Sequence, residues 1–70
     1  MWIKRTDNSY IDVATGTVLS VYDVSSTNYA ITANGAGADL ANGFATATAA
    51  QDALDAFMTE QGFEQIPNGS

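Results

Sequence analysis

Carboxylates are the side chains in this sequence whose number and spacing invite chemistry. Asp52 and Asp55 stand three apart, which on a helix brings both to one face, and a carboxylate pair can divide acid and base roles when its surroundings hold one member protonated. The other ingredients of most reactions are missing. With no histidine and no cysteine, the chain lacks the usual base near neutral pH, the usual nucleophile pair and the best transition-metal ligands. Calcium would need several oxygens at close range, yet no EF-hand-type loop of alternating acids and asparagines occurs, and Asp7-Asn8 and Asn34-Gly35 have the character of turns. Gly35, Gly37 and Gly43 lack the spacing of a phosphate-binding loop, with no basic residue nearby to meet a phosphate. A chain of 70 residues also has little room for the ~300 Å³ or more that ligand sites typically need. The expectation is a protein that is not an enzyme and carries no cofactor and no metal, with Asp52 and Asp55 on a solvated helix face.

Charge says more than any motif. Lys4 and Arg5 are the only basic residues, and eight acids follow: Asp7, Asp12, Asp23, Asp39, Asp52, Asp55, Glu60 and Glu64. A formal net charge of -6 repels phosphate backbones and anionic lipid, so direct nucleic-acid or membrane binding is not expected, whereas a basic protein would be drawn in. Acidity also serves solubility, and the count alone does not separate the two roles. Aromatic residues offer a second kind of contact. Tyr22 and Tyr29, together with Trp2 and Tyr10, have a strand periodicity that permits either a core or an exposed interface, while Phe44, Phe57 and Phe63 read as core.

The elements that must position these residues are organised around one helix, predicted over Thr46 to Phe63. Thr46 or Thr48 can cap it, and Thr48 with Gln51 also fits a capping box. Ala50, Leu54 and Phe57, flanked by Ala53 and Met58, form an apolar stripe, with Gln51, Asp52, Asp55 and Thr59 turned away from it. Gly62 supplies the stop, and Phe63 is placed to close a Schellman motif against Met58. Ahead of the helix, residues 1–5 and 10–13 read as strands joined by the turn Thr6-Asp7-Asn8-Ser9. Residues 17–24 form the longest strand candidate, apolar on both faces. Either Leu19 and Val21, or Val18, Tyr22 and Val24, face inward. Residues 29–33 return, and Asn34-Gly35 predicts a tight hairpin whose partner, the Ala/Gly-rich stretch 36–43, carries little bulk.

The predicted architecture is α+β: an antiparallel meander of three to four strands with one C-terminal helix packed on one face. It makes a single domain over residues 1–66, with Ile66 tucked beneath the helix and residues 67–70 as a flexible tail. The absence of cysteine, of a basic n-region before an apolar run and of a long apolar segment sets the expectation of a cytoplasmic protein. Trp2-Ile3-Lys4, Tyr10-Ile11-Asp12-Val13, the long third strand, Tyr29-Ala30-Ile31 and Phe44 before a Thr-capped helix containing Ala50-Gln51-Asp52-Ala53-Leu54 resemble a recurrent type of small bacterial and phage protein. Members of that type are mostly without assigned function. The resemblance covers nearly the whole chain except residues 36–43; its marks are packing residues, so it implies a fold and no active site.

The functional expectation is an acidic protein-interaction module for a basic, nucleic-acid-handling protein. Its concrete form is a phage-type inhibitor that imitates phosphate charge, in the manner of small anti-CRISPR or anti-restriction proteins. Asp23, Asp39, Asp52, Asp55, Glu60 and Glu64 would carry the contact, with Tyr22 and Tyr29 as apolar anchors. The alternative is a homo-oligomeric structural protein that uses an uncovered sheet face or an edge strand, which would also supply burial that so small a chain lacks.

Overall fold

The structure is a computed structural model that describes residues 1–35 and 39–65. In chain order the elements are β1 (Trp2–Lys4), β2 (Tyr10–Asp12), β3 (Val18–Ser25), β4 (Asn28–Ala33), β5 (Asp39–Phe44), α1 (Ala47–Gln61) and β6 (Glu64–Gln65). The strands form one sheet in the order β5-β4-β3-β2-β1-β6, and α1 packs on it. The α+β class and the single covering helix are as expected. The strand count and topology are not: the described residues hold six strands rather than three to four, and the last pairs parallel to the first.

Each addition has its own reason. Strand β5 lies in the low-bulk stretch that gave a weak pattern, and register shifts on either side of Ile31 interrupt its pairing with β4, so no clean alternation marks it. Strand β6 has two polar residues, too few for any periodicity, and exists because the chain emerges from α1 beside β1. The geometry is economical. Strands β5 and β6 both run parallel to β1, so α1 is a crossover that returns the chain along the sheet from the β5 edge to the β6 edge.

Register decides which side chains meet the helix. Lys4, Tyr10, Leu19 and Ala33 lie opposite one another across four strands, as do Val21 and Ile31, and this face receives Ala50, Leu54 and Met58 of α1. The two facings left open for the long strand thus resolve in favour of Leu19 and Val21. Tyr10, Leu19, Ile31, Leu54 and Met58 form the core, and Trp2, Phe44 and Phe63 pack against it. On the opposite face, Ile3, Ile11 and Val18 line up across β1, β2 and β3, half-buried. Thr32 also belongs to that face and is fully buried, with no hydrogen-bond partner for its hydroxyl among the described residues.

The helix ends depart from expectation in detail. Thr46 is the N-cap, its hydroxyl accepting from the Ala49 N–H at 3.0 Å, so Thr48 lies inside the first turn and the Thr48–Gln51 capping box is not formed. Gly62 takes the expected positive φ of 82°, but its ψ of 132° lies outside the left-handed helical region. Its N–H completes the last turn on Met58 O at 2.9 Å, and Phe63, instead of closing a Schellman motif, stands edge-on to the Tyr10 ring with centroids 4.9 Å apart. Asn34 and Gly35 both have positive φ, as a tight hairpin requires. The expectations for Ala36 to Ala38, Ile66 and the tail 67–70 lie outside the described residues.

Candidate functional site

Two constellations stand out, one polar and one apolar. The polar one ties the first hairpin to the helix. Asp55 Oδ1 accepts from Tyr10 Oη at 2.6 Å, Gln51 Nε2 at 2.9 Å and Lys4 Nζ at 3.2 Å, and the Lys4 ammonium also lies over the Tyr10 ring, 5.6 Å from its centroid. Spacing explains the convergence: Gln51 and Asp55 are one helical turn apart, and Lys4 and Tyr10 are cross-strand partners on the face beneath. Gln51 also donates to Asn8 O at 3.0 Å, which fixes the turn after β1.

The protonation of this cluster follows from its surroundings. Burial pushes the Asp55 carboxyl up, but the three hydrogen bonds and the charge of Lys4 outweigh it and leave the group below the ordinary carboxylate range. Burial, the bond to Asp55 and the Asp55 charge together push the Tyr10 hydroxyl well above the ordinary tyrosine range. One group holds its charge more firmly and the other its proton. Proton transfer near neutral pH favours the opposite arrangement, with both affinities close to that pH.

The apolar constellation is a cleft of about 280 Å³ between α1 and the β5 side of the sheet. Leu19, Ile31 and Leu54 are among the core residues lining it, while Leu40, Ala41 and Phe44 of β5 and Ala53 and Phe57 of α1 make its walls. It exists because the helix packs chiefly over β3 and β4 and leaves β5 less covered. Phe57, expected in the core, sits on the flank of the stripe and is 51% exposed; Leu40 on the facing wall is 61% exposed.

The six acids expected to bind a partner are spread over the molecule. Asp23 lies near the end of β3 on the helix side, opposite Tyr29, and Asp39 opens β5 on the other side, opposite Thr32. Asp52 and Glu60 are exposed on α1, and Glu64 in β6 stands beside Ile3. Asp55 alone is drawn into the polar cluster. Tyr22 and Tyr29 point to opposite faces of the sheet, Tyr22 exposed and Tyr29 half-buried against Phe44. Among the described residues no group of three or more acids comes together in a way that would hold a metal ion. The other acids near the N-terminus serve turns. Asp7 bonds the Ser9 hydroxyl and N–H and meets Arg5 at 3.8 Å, while Asp12 receives the Ala14 N–H, the Met1 ammonium and the Thr15 hydroxyl. These contacts hold both carboxyls below their usual range.

The residues overlooked in the sequence are Lys4 and Tyr10 as partners of Asp55, and Leu40 and Phe57 as cleft walls. Leu40 carried a signal, being the one large apolar side chain in the Ala/Gly-rich stretch; the Lys4–Asp55 contact, 51 positions apart, carried none. The chain matches no protein-family model, no curated protein and no solved structure. No helix among the described residues is long and apolar enough to cross a membrane.

Proposed function

We propose that this chain is a non-enzymatic, acidic interaction module for a basic protein partner. One observation carries the reading: both cationic side chains are internally engaged, Lys4 by Asp55 and Arg5 by Asp7, whereas Asp23, Asp39, Asp52, Glu60 and Glu64 are exposed and show no ion pair among the described residues. The outward charge is therefore almost entirely negative, and a positive surface approaching it is accelerated and held. The more specific form, an inhibitor that occupies a nucleic-acid-binding groove by imitating phosphate charge, draws its support from net charge and size alone.

The test is capture of host proteins at low and high salt, using the chain and a variant in which these five acids become amides. The expected result is a basic protein retained at low salt, released at high salt and lost by the variant; nucleic acid competing for it would support the inhibitor form. Equal capture by chain and variant would overturn the reading. A second reading, self-association through the face away from the helix, is favoured by the Ile3, Ile11 and Val18 row with exposed Tyr22 and Val24 nearby on β3. Light scattering over a concentration series decides it, since a chain that remains monomeric throughout has no such contact.

A further inference from the structure

The apolar cleft and the strand beside it form one continuous surface. Strand β5 is the last in the sheet, so one side of its backbone has no partner strand among the described residues, and every one of its residues except Phe44 is exposed. An edge of this kind is a template for another extended segment. A strand added there would turn every second side chain toward the helix side, where the cleft opens between Leu40 and Phe57. At about 280 Å³ the cleft falls just short of the ~300 Å³ lower bound for small-molecule sites, but it has room for an aliphatic or aromatic side chain.

Charge identifies the owner of that side chain. Both cationic side chains and the N-terminal ammonium belong to or flank β1, four strands away from β5 and thus roughly 19 Å across the sheet, about twice the screening length at physiological salt. The β5 edge accordingly faces acids without local compensation. Asp39 opens the strand, and Glu60 lies one helical turn beyond Phe57 on the cleft side of α1. A second copy would bring another net charge of -6 to the same edge, where a basic segment would bring the opposite charge.

We infer that the β5 edge takes an extended basic segment of a partner protein as a seventh strand, with apolar side chains at alternate positions seated in the cleft between Leu40 and Phe57. The inference rests on the reading that the partner is basic and names where and how it binds.

The probe is a seven-residue synthetic peptide alternating lysine with isoleucine, titrated into isotopically labelled protein and followed by amide shifts and amide exchange. A peptide alternating lysine with serine has the same charge and no side chain for the cleft. The expected result is that shifts and slowed exchange concentrate in residues 39–44 and around Ala53 and Phe57, and that the isoleucine peptide binds at least about tenfold more tightly. Leu40→Ser and Phe57→Ser remove side chains that are more than half exposed, so the fold should survive, and each should abolish that preference while Val13→Ser, at an exposed apolar residue remote from β5, keeps it. Equal binding of both peptides, or shifts scattered over other faces, would overturn the inference while leaving the basic-partner reading standing. Failure of both peptides to bind at low salt would sink both. Slowed exchange in β5 that rises with protein concentration and needs no peptide would assign the edge to a second copy instead.

Discussion

At the scale of single residues the decisive group is Asp55, because one carboxylate joins β1, β2 and α1. Asparagine at this position keeps an acceptor oxygen but removes the charge, leaving Lys4, whose side chain is only 16% exposed, without its counter-ion. Asp55→Asn is expected to cost about 1–3 kcal/mol, as breaking a hydrogen-bonded charge pair does, with part of the loss returned to solvent because Asp55 itself is a third exposed. The pH dependence has a definite sign. A carboxyl held below its unfolded value contributes stability that is complete above the unfolded value, near pH 4, and is lost as pH falls through the folded one. Tyr10 acts at the other end: with its hydroxyl pushed up, its contribution is complete below the unfolded value, near pH 10, and is lost progressively as pH rises from there through the raised folded value. Urea unfolding across acid pH should show a shallower acid limb for Asp55→Asn than for the parent chain, with the rest of the limb due to Asp7 and Asp12. Identical limbs would mean that the cluster does not couple protonation to folding.

At the scale of elements, the helix tests how far the sequence could be read. Two threonines, Thr46 and Thr48, could each have capped it, and nothing in the local pattern chose between them. In the fold Thr46 is the cap, and Gln51, which a capping box at Thr48 would use, is bound to Asn8 and Asp55. Thr46→Ala should therefore destabilise by about 1 kcal/mol and Thr48→Ala by less than about 0.5 kcal/mol, measured by thermal or urea unfolding. The reverse ranking would place the helix start two residues later. The same contrast accounts for what was legible. The long β3, the β4 return, the Asn34-Gly35 turn and the apolar helical stripe carry periodic or conformational signals, so the α+β class and the inward facing of Leu54 and Met58 could be expected. Strand β6 and the Lys4–Asp55 contact depend on where distant segments are brought together, and no window of sequence contains both partners, whereas β5 is a hairpin neighbour of β4 whose bulges and small residues hide its alternation. Phe57 shows the limit most plainly: helical spacing put it in the stripe, but the stripe is wider than the sheet surface that covers it, so Phe57 became a cleft wall. Glu60 belongs to this scale too. It occupies the last turn of α1, where no basic residue offsets the negative end of the helix. Glu60→Lys should stabilise the fold by about 0.3–1 kcal/mol and weaken capture of a basic partner, and an unchanged unfolding midpoint would remove the electrostatic argument.

The whole molecule carries its charge at a cost to its own stability. Seventy residues typically leave about 4–10 kcal/mol of net stability, taking roughly 0.05–0.15 kcal/mol per residue, and a net charge of -6 on a chain whose cations are already engaged adds self-repulsion. The carboxylates of Asp23, Asp39, Asp52, Glu60 and Glu64 are exposed, so salt reaches and screens them, whereas the partly buried Asp55 cluster is screened less. Raising sodium chloride at pH 7 from about 10 mM to about 0.5 M shortens the screening length from about 30 Å to under about 5 Å, well below the size of the domain. It should therefore increase unfolding free energy measured in urea, a denaturant that adds no ions of its own. Amide substitution of the five exposed acids should raise stability at low salt and flatten the salt dependence. Acid is no substitute for salt in this test, because it also removes the contacts that the ionised Asp55, Asp7 and Asp12 make. If stability falls with salt instead, attractive pairs such as Lys4–Asp55 outweigh the exposed acids. The surface would then not be held at a cost, and selection for a basic partner would lose its thermodynamic support.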